Sequence, residues 1–313
     1  MIRRFGVETG DTTMRGFGKW LDIRTNYGNS LNQQQFHRAR ELFDLGDLQD
    51  MAAEQADFRD VSDAWLPDIQ LMISRLGGRP GQPASRTPDG LFLAAHAGNN
   101  GKSHNHNDVG DFVIYADGQP VIVDVGSGTY TSRTFSKDRY QLWFNTSAFH
   151  NLPTVNGHQE QEGNTYSASQ VSYRMDRQGA RLRMDLAKAF PPAAGIHAWE
   201  RSILADRTGR ILITDSCRAD SVFSSLTQTF MTVAAVDITA PGLIVFTPEM
   251  GNKVELHYDA RFWRARKEEM PLTTPEEEGL KASWHHRAIK RILLELKSPV
   301  RNAVFQYTIV VAK

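Results

Sequence analysis

With 313 residues the chain is long enough for one large domain or two ordinary ones, and for a sizeable buried core. Lys plus Arg and Asp plus Glu each total 36, so there is no long-range field to draw a polyanion, and nucleic acid is excluded as an expected partner. One cysteine, Cys217, excludes an internal disulfide and a cysteine-built metal site, and no apolar run is long enough to cross a bilayer, so no membrane partner is expected.

MIRRFGVETG has basic residues with no apolar core behind them, so no signal peptide is visible in this chain. Asn29 or Ser30 can cap a helix in which Phe36, Ala39 and Phe43 recur at helical spacing, ending at Gly46. After Trp65-Leu66-Pro67 the pattern changes to strands. DIQLMIS comes first, then the Gly/Pro-rich RLGGRPGQPASRTPDG, then LFLAAHA. DFVIY and VIVDVG flank ADGQP as a hairpin, VSYRM and ARLRMDL flank DRQG, and SILAD and RILITD flank RTG. TQTFMTV, LIVFTP, KVELHY, RILLELK and FQYTIVVA complete the series, and EEMPLTTPEEEG reads as a polar loop whose acids are solvated. Many short strands without intervening helices predict a mainly β, antiparallel sandwich over 67–313, preceded by a helical segment over 1–66.

The chemistry concentrates in GKSHNHNDVG and in the hairpin next to it. Five of the ten histidines, His96, His104, His106, His150 and His158, fall within one stretch of the chain. Asp124 interrupts the apolar VIVDVG, where strand alternation places it on the face of Ile122, and a carboxylate there needs a partner. In an extended His-Asn-His the two rings can point the same way. Two histidines, one carboxylate and an open fourth position form a plausible Zn²⁺ set; Arg, Ser or backbone N–H groups holding the Asp are the alternative.

The run SHNHNDVGDFVIYADGQPVIVDVGSGTYTSRTFSKDRYQLWFNTSAFHNLPTVNG resembles the signature region of the heparinase II/III-like polysaccharide lyases, a group that includes oligoalginate lyases. The resemblance is close over about residues 66–160 and general over the β-rich remainder. It implies an α-helical toroid before an antiparallel β-supersandwich, with the active site between them. It also implies one structural zinc per chain held by His106, Asp124 and His150, with His104 and Tyr140 catalytic. Arg139 and Asn105 are the expected substrate-binding residues, Arg139 because a guanidinium grips a carboxylate or sulfate bidentately; an ion pair with Asp138 is the structural alternative. The implied partner is an acidic polysaccharide or oligosaccharide, the implied reaction β-elimination at a 4-linked uronate, and the implied location periplasmic or secreted. Tyrosine loses its proton only well above neutral pH, so as a base Tyr140 needs a cation beside it, His104 or Arg139.

Only some 65 residues precede the strands, too few for that toroid, so the segment is expected to be an incomplete one and lyase turnover by this chain alone to be weak or absent. Tyr27 and Asn29 are of the right types for the missing wall, and equally caps and surface groups. A homo-oligomer or a helical partner can complete the cleft. The alternatives are a non-catalytic carbohydrate-binding or partner-dependent β-domain and, less well matched, a cupin-like metal oxygenase.

Overall fold

The computed structural model describes residues 2–12, 14–16, 63–77 and 90–312. The chain groups into two compact units, residues 1–61 with 79–86, and residues 62–78 with 87–313. In the first unit the described part is α1 (Ile2–Thr9), followed by a turn in which Asp11 Oδ1 accepts the Met14 N–H at 3.0 Å. The expected Phe36–Phe43 helix, Tyr27, Asn29 and most of the Gly/Pro-rich loop lie outside the described residues. Among the described residues no helix is long and apolar enough to cross a membrane.

The second unit opens with the hairpin β1 (Asp63–Leu66) and β2 (Leu71–Leu76), then β3 (Leu91–His96), the two-residue β4 (Asn99–Asn100), and the hairpin β5 (Phe112–Ala116) and β6 (Gln119–Ile122). Asp117 and Gly118 join β5 to β6 with φ of 50° and 76°, the paired left-handed geometry that Asp-Gly favours in a two-residue hairpin loop. β7 (Pro153–Val155) and β8 (Gly163–Ser167) lead into β9 (Ser169–Met175), β10 (Gly179–Asp185), β11 (Ile196–Asp206) and β12 (Arg210–Phe223). β13 (Leu226–Thr232), β14 (Ala235–Asp237), β15 (Leu243–Thr247), β16 (Val254–Tyr258) and β17 (Trp263–Glu269) come next; α2 (Glu278–Ser283), β18 (Lys290–Leu296) and β19 (Val300–Val311) end the chain.

The strand pairs are antiparallel throughout the described residues. One sheet has the order β1-β2-β3-β5-β6, a second β14-β15-β16-β19-β12-β11-β10-β9, a third β17-β18-β13-β7, and β4 pairs with β8. The predicted antiparallel sandwich is therefore the observed architecture. In β2, β3 and β5 alternate residues are buried, so Met72, Leu93 and Ile114 meet Leu182, Ile213, Phe305 and Tyr307 in one continuous core. A smaller cluster, with Val123, Val125, Phe144, Met231 and Leu280, lies under the segment that carries Asp124 and His150.

Two expectations need correction. EEMPLTTPEEEG is not a plain solvated loop: Thr274 and Glu277 form a capping box that starts a 3-10 turn running into α2. Glu277 is buried and accepts the Trp143 indole N–H at 2.6 Å and the backbone N–H groups of Thr273 and Thr274 at 2.6 and 2.8 Å. Asp124, in turn, does not share a strand with Ile122, because β6 ends at Ile122. The Val123 N–H crosses to Met231 O of β13 at 2.9 Å, which turns the chain out of the first sheet.

A buried ion pair fastens the site loops to the large sheet. Arg201 on β11 grips Asp215 on β12 through two bonds of 2.8 and 2.7 Å. Its Nη1 also donates to Gly110 O at 3.1 Å and Asn151 O at 3.0 Å, and Nη2 to Gln228 Oε1 at 3.0 Å. With both charges fully buried, each lone pair and proton needs such a partner, and the partners chosen are the carbonyls that end HNHNDVG and come just after His150.

Candidate active site and metal centre

The segment between Asn100 and Asp111 is irregular, held on two sides. Asn100 Nδ2 and the Val109 N–H both donate to Glu160 Oε2 at 3.0 Å, and the Asp108 N–H reaches Asn100 Oδ1 at 3.2 Å. The Asn107 N–H donates to Asn145 O at 2.9 Å. Asn151, fully buried, receives the N–H of Met231 on its Oδ1 and donates to Phe112 O at 2.7 Å, so the residue after His150 is pinned between two sheets.

These restraints set the two HNH rings on different courses. His104 has φ of +57°, which breaks the extended geometry on which same-side alternation depends, and it is exposed. Its ring lies against Tyr130 and Phe135, centroids 5.7 Å away from each. His106 is 8% exposed and turns inward, its Nδ1 3.3 Å from Nε2 of the fully buried His150. His150 Nδ1 donates to Thr146 O at 2.9 Å, which leaves Nε2 as the free ring nitrogen, and Asp124 Oδ1 lies 3.7 Å from that nitrogen.

One ligand atom each from His106, Asp108, Asp124 and His150 lie within 4.8 Å of one another, a cluster that could hold a metal ion. Donors about 2.0–2.1 Å from a tetrahedral ion stand about 3.3 Å apart, so the 3.3 and 3.7 Å separations fit one. The surrounding carboxylates also favour positive charge at this point. Burial works against a charged His150, yet Asp124, Asp111 and Asp108 outweigh it and push its pKa up to about 9. Burial would raise Asp124, but His150, His106 and the Gly126 N–H hold it below the usual carboxylate range. Burial first, and the neighbouring His150 next, lower His106.

The expected sugar-facing residues also come together. His104, Asn105, Arg139 and Tyr140 line one cavity of about 230 Å³. Arg139 makes no ion pair with Asp138: its Nε and Nη2 donate to Asn105 O at 2.9 and 2.7 Å, and Nη1 to Thr134 O at 2.9 Å. Two of its five N–H groups remain. Asn105 is buried and its amide nitrogen donates to His106 O. Asp108 is not among the ligands expected from the sequence, although its place two residues after His106 has the same spacing as HNH itself. Glu160 and Thr146 carry no signal in the sequence, because one acts through a distant turn and the other through its backbone.

The Heparinase II/III-like, C-terminal family model matches residues 84–295. The chain belongs to that family. A search of curated protein sequences finds no match. Among solved structures it is similar to the heparan sulfate lyase HepC from Pedobacter heparinus, with 14% identity, a TM-score of 0.61, and coverage of 94% of this chain and 41% of that one. It is similar also to heparinase III, with 11% identity, a TM-score of 0.60, and coverage of 83% and 38%. At these identities the likeness is one of fold. This heparinase II/III-like chain spans about two fifths of the length of those structures.

Proposed function

We propose that this chain carries the β-domain share of a polysaccharide lyase site that eliminates across the glycosidic bond of a 4-linked uronate in an acidic polysaccharide or oligosaccharide. The observation that supports it most is the lining of one cavity by His104, Arg139 and Tyr140, with the ligand cluster two residues from His104 in the chain.

In this reading His104 and Tyr140 share the two proton transfers, one taking the C5 proton and the other protonating the departing O4. The remaining N–H groups of Arg139 neutralise the uronate carboxylate, which makes the C5 proton acidic enough to leave. Asn105, whose own carbonyl receives Arg139, keeps that guanidinium at the cavity wall. A zinc ion held by His106, Asp124 and His150 would supply a structural clamp between HNH and the segments after β6 and before β7. The location, periplasmic or secreted, comes from the same reading, and so does a homo-oligomer or helical partner that completes the cleft above the domain assigned to residues 67–313.

The test is the ultraviolet absorbance of the unsaturated uronate, measured on alginate, heparin, heparan and chondroitin with the chain alone and with a helical N-terminal domain of a relative added. Product that appears on one of these substrates and is lost in Tyr140→Phe and His104→Ala supports the reading. Silence in both formats leaves the non-catalytic carbohydrate-binding domain as the better account.

A further inference from the structure

A second cavity, of about 300 Å³, lies between the β1–β2 turn and the β4–β8 pair. Its lining is rich in amides and hydroxyls: Gln70, Asn99, Asn164 and Ser167, with Asp68 and Lys102. Such a lining suits a polyhydroxylated ring. Lys102 also lines the first cavity, beside His104 and Arg139, so one lysine side chain joins the two.

The amide ends are oriented. Gln70 Oε1 receives the Gly98 N–H at 2.9 Å and Asn99 Oδ1 the Gly101 N–H at 2.9 Å, so both side chains have their oxygens fixed to backbone and their NH₂ groups left as donors. The same two glycines make room for the groups above them. A Cβ at Gly98, whose φ is +90°, would come 2.6 Å from Lys102 Nζ, and a Cβ at Gly101 would come 1.7 Å from Asn164 Oδ1. Lys102 makes no ion pair among the described residues, while the cavity it shares with Arg139 contains no acidic side chain.

We infer that this cavity is a further sugar subsite: Gln70, Asn99 and Asn164 bind hydroxyl groups of a third saccharide unit, beyond the two that flank the scissile bond at the His104/Tyr140 cavity, and Lys102 binds the anionic carboxylate or sulfate between them. The inference rests on the carbohydrate reading of that first cavity and extends it to a ligand at least three units long. Two or more new hydrogen bonds amount to an affinity gain on the order of tenfold or more with chain length.

The experiment is calorimetric titration of the whole chain at low salt with unsulfated oligouronates and with sulfated heparan-type oligosaccharides, each as disaccharide and tetrasaccharide. The expected result is a tetrasaccharide preference of about tenfold in at least one series. That preference should collapse toward parity in Asn164→Ala and in the Asn99→Ala, Asn164→Ala double variant. Lys102→Met should weaken the salt dependence of tetrasaccharide binding, and the series in which it does so tells carboxylate from sulfate. Equal affinity for both lengths, or a length preference that survives the double variant, overturns the subsite alone. Failure of every oligosaccharide to bind overturns the carbohydrate reading of the first cavity together with it.

Discussion

His106 Nδ1 and His150 Nε2 stand 3.3 Å apart although 44 residues separate them in the chain. Both rings are buried, and His150 already has its other nitrogen on Thr146 O, so the contact has Asp124 and Asp108 as its charged neighbours. Replacing His150 or Asp124 by Ala should lower the metal content of dialysed protein toward zero and lower the melting temperature, because a metal bound only by the folded chain adds its binding energy to folding. His104→Ala, on the exposed side of the loop, should keep the metal. Elemental analysis and thermal melts of the three variants decide this, and metal loss in His104→Ala would show that the two HNH rings are not divided as described.

Asp108 adds a carboxylate to the cluster and also lies 3.6 Å from His96 Nε2. Asp108→Asn should weaken metal affinity about tenfold or more while leaving full occupancy at saturating metal, the behaviour of a group that orients and charges a site. Competition against a chromogenic chelator measures it. Unchanged affinity would leave Asp108 outside the site.

Arg201→Met removes the cation from a buried pair and leaves Asp215 uncompensated, together with the carbonyls of Gly110 and Asn151. The expected loss is about 3–5 kcal/mol in denaturant unfolding. The double variant Arg201→Met, Asp215→Leu should recover part of it, since no unpaired charge then remains. A single variant as stable as the parent would mean that the pair is not buried in solution.

Glu160 is buried with Oε1 unpartnered, and burial pushes its pKa up to about 8, although Asn100 and the Val109 N–H oppose the shift. The folded chain therefore holds this proton more tightly than the unfolded chain does. Its contribution to stability is full below about pH 4.5 and is lost as the pH rises through about 8, at up to about 1.4 kcal/mol per pH unit within that window. Glu160→Gln keeps an acceptor for Asn100 and Val109 without the titration. Its melting temperature should exceed the parent's at pH 8.5 and match it near pH 4; parallel pH profiles would contradict the assignment.

The strand series, the antiparallel class and the clustering of ligand-type side chains were legible in the sequence because they depend on local rules. Alternation in LFLAAHA and FVIYA, Asp-Gly between β5 and β6, and ligand-type side chains massed in SHNHND are properties of short stretches of chain. Three things were not legible. The left-handed φ of His104 has no local periodicity to announce it, and the attachment of Arg139 to the Asn105 carbonyl and the burial of Glu277 under Trp143 arise where segments far apart in the chain meet.

The order of amino acids settles an inventory: which strands can form, and which imidazoles and carboxylates are present to be gathered. Their division is a matter of tertiary packing, with His106 turned inward to His150 and Asp124, Asp108 brought beside them, and His104 left exposed at the cavity wall. The physical reason is that burial of a polar group depends on whether partners reach it. Here Thr146, four residues before His150, is a local partner, whereas Asn151, Glu160 and the Arg201–Asp215 pair bring groups together from segments 40 or more residues apart.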